Sequence, residues 1–253
     1  MSHSQTSFIH GENLLVQYAS ADEPALNSIS FTIERGDFLG LLGPNGAGKT
    51  TTISMLTTLL KPKSGTLTYD GKAVYPKSEK IRNSIGVVPQ DIALYQTLTL
   101  RENIEYFGKL HGVKGHHLAE RTDHCLEMVG LHEYADKVVS TFSGGMKRRA
   151  NLAVGIIHAP DILFLDEPTV GVDVQSRRMI LENLRSLNSN GMTVVYTTHY
   201  MEEVQQLCSR ILMIDKGTII LQGEIDDLMA IHSDCKNLDD LFLKLTGTEL
   251  RDG

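Results

Sequence analysis

FLGLLGPNGAGKTTTISMLTTLL, residues 38–60, opens as an unbroken apolar run, breaks into a glycine-rich stretch and resumes as a helical pattern. Five uncharged residues, Phe38 to Leu42, fit a strand buried on both faces. The next eight, Gly43 to Thr50 (GPNGAGKT), match GxxxxGK[ST] at a strand-to-helix junction, the context in which that pattern has a mechanical meaning. Gly43, Gly46 and Gly48 let the backbone curl so that consecutive N–H groups face one anion, and Pro44, Asn45 and Ala47 complete the loop. Lys49 brings a point charge to β- and γ-phosphate oxygens and Thr50 a hydroxyl for Mg2+, with Thr51 beside them. The stretch reads as a P-loop, a cradle for nucleotide phosphates.

Outward from the cradle, further short apolar runs alternate with helical patterns: Ile85–Val88, Ile162–Leu165, Thr193–Thr197 and Ile211–Ile214. Their continuity predicts a mostly parallel core sheet flanked by helices, an α/β fold. The first ~35 residues and Gly65–Val74 alternate and turn instead, which predicts an antiparallel β lobe with a hairpin at Tyr69-Asp70-Gly71-Lys72. Arg35-Gly36-Asp37 reads as a turn before the first buried strand. From about 91 to 159 the patterns are helical and amphipathic, with a capping box at Thr99-Leu100-Arg101-Glu102, so an α-helical subdomain is expected inside the core. No internal repeat is visible. We read a single domain over 7–246, with a helical tail from about 225 to 253.

ILFLDEP, Ile162 to Pro168, is an apolar strand ending in two adjacent carboxylates. Asp166 at the strand end suits a role toward Mg2+, and Glu167 suits orientation or deprotonation of an attacking water. TFSGGMKRRANLAVG, residues 141–155, offers a second anion site: Ser143, Gly144 and Gly145 leave bare N–H groups at a helix N-terminus. Lys147, Arg148 and Arg149 after it read as a solvated helix face.

Of the 253 residues 41% are hydrophobic and 22% charged, enough to bury a large core. A net charge of −7 argues against nucleic acid as a partner. Cys125, Cys208 and Cys235 form no metal or CxxC pattern and read as free thiols. MSHSQTSFIHGENLL has neither the basic start nor the apolar run of a signal peptide, and no stretch approaches ~18 apolar residues. A soluble chain is expected, reaching any membrane through a partner.

GPNGAGKT, VVPQ, FSGGM, ILFLDEP, GVD and TTH occur in this order, and from about Asn13 onward the chain resembles the ATP-binding subunit of ABC transporters. The resemblance implies ATP and Mg2+ as cofactors, hydrolysis of ATP, and an integral membrane permease as partner. It implies that Tyr18 stacks on adenine, that Gln90 touches Mg2+ and the water, that Asp173 ends a loop crossing a dimer interface, and that His199 contacts the γ-phosphate. FSGGMKRR, TTHYMEE and NLDDLFLKLTG are similar to the ATPases of type-2 drug, sodium and antibiotic exporters. A cytoplasmic protein peripheral to the cell membrane follows, paired with itself or a second ATPase. Pairing has a chemical motive as well, since a P-loop covers ATP on one side only and a twofold dimer would close the other. The alternative is a soluble regulatory ATPase of the same type. Phe142 replaces the family's usual Leu before Ser-Gly-Gly, and Val170-Gly171-Val172 departs from the usual Ser-Ala-Leu or Ala-Gly-Leu.

Overall fold

The computed structural model describes residues 7–75 and 79–247. The start of the segment read for a signal peptide (1–6) and the end of the expected tail (248–253) lie outside the described residues. In chain order the elements are β1 (Ser7–Val16), β2 (Leu26–Glu34), β3 (Phe38–Leu42), α1 (Lys49–Leu56), β4 (Ser64–Tyr69), β5 (Lys72–Ala73), α2 (Glu79–Asn83), β6 (Ile85–Val88), α3 (Leu100–Leu110), α4 (Gly115–Met128) and α5 (Gly144–Ile156). They continue as β7 (Ile162–Asp166), α6 (Val174–Ser189), β8 (Thr193–Thr197), α7 (Met201–Leu207), β9 (Arg210–Asp215), β10 (Thr218–Glu224), α8 (Ile225–Ile231) and α9 (Leu238–Thr246). The chain divides into two compact units, residues 1–82 with 193–253, and residues 83–192.

The first unit holds two sheets. β2, β1, β4 and β5 form an antiparallel lobe in that order. Its tight turn puts Asp70 and Gly71 both at positive φ, 47° and 69°, as a two-residue hairpin matching the right-handed strand twist requires. β3 lies between β8 and β9, parallel to both, and β10 closes on β9 antiparallel. Every residue of β3 and of β8 is buried, which explains why their sequences are apolar without alternation. β10 lacks that signature: its residues are half-buried or exposed and polar Thr218, Gln222 and Glu224 dilute the run, so the sequence reading placed no strand there. The Arg35-Gly36-Asp37 turn is present, with Asp37 Oδ2 accepting from the Glu34 amide at 2.9 Å and from Arg210 at 2.7 Å. α9 is capped by Asn237 and buries Leu238, Leu241 and Phe242, packing against α7 within its own unit.

The second unit sets the parallel pair β6–β7 among helices α3 to α6. It is broader than the expected helical stretch of about 91–159, taking in both strands and α6. The expected capping box is formed, with Thr99 Oγ1 accepting from the Glu102 amide and Glu102 returning a bond to Thr99 N. α5 approaches β6 backbone to backbone. A Cβ built on Gly86 would lie 2.5 Å from the Gly155 carbonyl oxygen, and one on Gly155 2.7 Å from Val88 Cγ2. No side chain separates the two elements there.

At the far end of α5 the His158 ring stacks flat on His111, centroids 3.8 Å apart, and its Nε2 donates to the Ile85 carbonyl at 3.0 Å. His158 Nδ1 is buried without a partner. Burial first, then His111, lowers the His158 pKa from the usual 6.5 to about 4. The imidazole is therefore neutral in the fold but binds a proton in the unfolded chain between those values, so stability rises with pH across the window. Thermal unfolding followed by circular dichroism should show the midpoint falling as pH drops from about 6 to about 4. His158→Phe should flatten that slope; an unchanged slope would contradict the assignment.

Candidate functional site

β3 delivers the chain to the P-loop with no slack. A Cβ on Gly43 would sit 2.2 Å from the Ile214 carbonyl oxygen, and Gly48 adopts φ +112° with Ala25 and Leu26 pressed against it. The loop closes on itself through Ala47 N to Pro44 O at 3.1 Å, and is tied to β9–β10 by Gly217 N to Ala47 O at 3.0 Å. α1 then starts with the Thr52 amide and hydroxyl both donating to the Gly48 carbonyl, at 2.8 and 2.9 Å. Lys49 is only 8% exposed, and its ammonium donates to the carbonyls of Gly43 at 2.6 Å and Pro44 at 3.1 Å. The lysine thus bridges the loop that it follows, which fixes its charge at the loop. Asn45, Gly46 and Thr50 are exposed, as contact with a ligand requires. The first turn of α1 carries no acidic residue, so nothing there opposes an anion. Tyr18 is 44% exposed, and its phenol oxygen lies 3.2 Å from Thr51 Oγ1. His199 follows β8 in the same unit.

In the second unit β7 ends at Asp166, and Glu167 takes a left-handed φ of +49°, where a non-glycine residue stores about 1–3 kcal/mol. Glu167 is buried, and the Gln90 side-chain amide donates to its Oε2 at 3.1 Å. Two residues far apart in sequence are thereby brought together, and the contact offsets part of the strain. The segment bearing Gln90 is pinned by α5: Asn151 accepts from the Ala93 amide and donates to the Pro89 carbonyl, while Arg148 donates to the Gln90 carbonyl. Burial pulls the Arg148 guanidinium below its ordinary pKa, opposed by the nearby carboxylates of Asp91 and Glu167.

The N-terminus of α5 is built as expected. Ser143 caps it, accepting from the Met146 amide at 3.3 Å, and Ser143 and Gly144 are exposed. Gly145 is buried, since a Cβ there would meet Ser176 Oγ at 2.2 Å. Asp173 caps α6 by accepting from the Ser176 amide at 2.9 Å, a bond that holds its carboxyl below the usual range. Ser176 therefore bonds to Asp173 and packs closely against Gly145.

A family model described as ABC transporter matches residues 26–170. The chain belongs to the ABC transporter family. A linearmycin resistance ATP-binding protein of Bacillus subtilis is 47% identical over 220 residues, 87% of this chain and 70% of that protein. A Nod factor export ATP-binding protein I of Ralstonia nicotianae is 40% identical over 91% of this chain and 71% of its own. Among solved structures, a dimeric ATP-binding cassette in a post-hydrolysis state with ADP and Pi superposes with a TM-score of 0.77 at 28% identity, covering 86% of this chain and 98% of that one. The P-loop α/β fold and the reading as an ATP-binding, ATP-hydrolysing ABC transporter subunit are thus borne out.

For this ABC chain one sequence expectation needs correction. Arg148 and Arg149 are not a solvated face. Both are half-buried, and Arg149 donates to the Val129 and Gly130 carbonyls as Arg148 does to Gln90. A guanidinium has five donors, so it can tie loops together while its stem covers the helix. Sequence reading also passed over Asn151 and Glu203, polar residues on otherwise buried helix faces. That placement was the available signal, because a buried polar group needs partners. Among the described residues no helix is long and apolar enough to cross a membrane.

The P-loop geometry generates one prediction. Lys49→Ala removes the only charge that the GxxxxGK[ST] pattern itself brings to the cradle, and ATP affinity measured by calorimetry should fall about tenfold or more. Affinity within twofold of the native chain would rule out this role.

Proposed function

We propose that two copies of this chain, or this chain and a paired ATPase, close head to tail around two ATP molecules and power export through a separate membrane permease. The observation that carries the reading is that one chain builds two anion-ready helix starts, the P-loop with Lys49 and the Ser143–Gly145 turn. A cradle open on one side calls for a second surface to cover the γ-phosphate, and a twofold pair supplies it from the partner. The dimeric relative bound to ADP and Pi supports the pairing. The relatives concerned with antibiotic resistance and Nod factor export support the direction of transport. The permease follows from membership of a transporter family whose spans must come from another chain or segment. In this reading the subunit is cytoplasmic and peripheral to the membrane.

The residues divide the work by their chemistry. Gly43, Pro44, Asn45, Gly46, Ala47 and Gly48 would wrap the phosphates, Lys49 would neutralise them, and Thr51 and Tyr18 would border the nucleotide. The donor set of Thr50, Asp166 and Gln90, all oxygen-bearing groups, fits Mg2+ and would hold it. Bound Mg2+ would supply Lewis-acid neutralisation of the β- and γ-phosphate oxygens. Glu167, already hydrogen-bonded by Gln90, would hold the attacking water and take its proton. His199 would face the γ-phosphate, and Ser143, Gly144 and Gly145 of the partner copy would close over it, with Asp173 at the interface.

Glu167→Gln should bind ATP with native affinity, accumulate as a dimer in size-exclusion chromatography with ATP, and lose about a hundredfold or more in turnover. Native-rate hydrolysis would remove Glu167 from its role. Ser143→Arg fills the covering half-site with a long cation, so ATP binding should persist while hydrolysis is blocked. An active monomer of either the native chain or that variant would sink the paired reading.

A further inference from the structure

We infer that Glu203 is the positioning residue for His199, acting through Thr198. The inference rests on the reading of His199 as a γ-phosphate contact and assigns what holds it in place. Glu203 lies on α7 and is 1% exposed, a burial that carboxylates reach only with compensation. Its Oε2 accepts two hydroxyl bonds, from Tyr196 at 2.5 Å and from Thr198 Oγ1 at 2.6 Å. Tyr196 and Thr198 are themselves buried, at 0% and 1% exposure. Thr198 Oγ1 in turn accepts from the Tyr200 amide at 3.1 Å. A hydroxyl has a single proton, and Thr198 gives its proton to Glu203, so toward Tyr200 it is an acceptor only. The carboxylate therefore fixes the rotamer of Thr198, and Thr198 fixes the peptide on the far side of His199. Both neighbours of His199 are anchored, through one oxygen, to one buried group.

The anchor is itself held. α7 begins with the Glu203 and Val204 amides donating to the Tyr200 carbonyl, so the turn bearing His199 runs directly into the helix bearing Glu203. The helix presses on β3, where a Cβ at Gly40 would be 3.2 Å from Val204 Cγ1 and 3.3 Å from Cys208 Sγ. The strand that carries the P-loop and the turn that carries His199 thus share one support within a single unit. Packing alone gives no reason for a carboxylate at this position. Desolvating it is costly, and an apolar residue of similar volume would often hold the helix as well or better. What leucine cannot do is orient two hydroxyls. The two hydroxyl bonds of the carboxylate lead to Tyr196 and Thr198, and Thr198 is the residue that adjoins His199.

The test uses the full-length chain and two readouts. In ATPase assays, Glu203→Leu and the isosteric Thr198→Val should each lower turnover at saturating ATP about tenfold, with KM for ATP within twofold. Glu203→Gln, which keeps an accepting oxygen, should recover most of the loss. In NMR spectra of histidine-labelled protein, the ring resonance assigned by its disappearance in His199→Gln should shift or broaden in the two disrupting variants and return in Glu203→Gln. A His199 resonance that stays in place in Thr198→Val overturns the inference, as does a rise in KM matching the fall in turnover. If Glu203→Leu does not fold, Thr198→Val decides alone, since it keeps volume and removes only the hydroxyl. Unchanged turnover in His199→Gln would instead remove the catalytic reading of His199, while the resonance would still decide whether Glu203 positions the ring.

Discussion

The ammonium of Lys49, enclosed by its own loop and bonded to the carbonyls of Gly43 and Pro44, is the constraint on which the rest of the fold depends. Those carbonyls can converge on one cation only if the backbone turns at Gly43, and that turn is possible only because no Cβ stands between it and the Ile214 carbonyl. Ile214 belongs to β9, so β3 and β9 must run side by side in register. Parallel strands cannot be joined by a short hairpin, and the crossovers between them become the helices. A buried charge, a missing side chain and a parallel sheet are thus one requirement seen at three scales.

The second unit solves a different problem, which is to hold a glutamine where it meets a glutamate. Gln90 is exposed on a segment with little regular structure, and left alone it would sample many positions. α5 prevents that with Asn151 and Arg148, bonding main-chain groups on both sides of the amide. The same helix offers Ser143 and Gly144 at its start. One rigid rod therefore carries an anion-ready terminus and the clamp on the Gln90 segment, so displacement at either must be felt at the other.

Much of this was legible in the sequence, for reasons that differ by element. β3, β7, β8 and β9 announced themselves because strands buried on both faces favour unbroken apolar runs, and β6 by its run Ile85–Val88 although Val87 is exposed. The Asp70-Gly71 turn and the Thr99 capping box were readable because a local hydrogen-bond rule fixes both. β10 was not, since a half-exposed strand carries no such pattern. The residues expected at the site were read from motif and order. Their supports, Arg148, Asn151 and Glu203, stayed hidden because a buried polar side chain is recognisable only once its partners are known, and those lie 5 to 7 or about 60 residues away. The arginines misled for the same reason, as a run of basic residues looks alike whether it faces water or main-chain carbonyls.

The bare contact between Gly86 and Gly155 has a bearing on how such a chain can change over generations. Where side chains interdigitate, a lost methyl group on one partner is compensated by a gained one on the other, and the interface drifts in small steps. A glycine has no smaller residue to move to, and enlargement at Gly86 meets the Gly155 carbonyl while enlargement at Gly155 meets the Val88 side chain and the Val87 carbonyl. The joint between α5 and β6 therefore has no gradual route of variation. Helix and strand are tied to a single spacing, and diversification of this subunit is channelled into surfaces away from that seam.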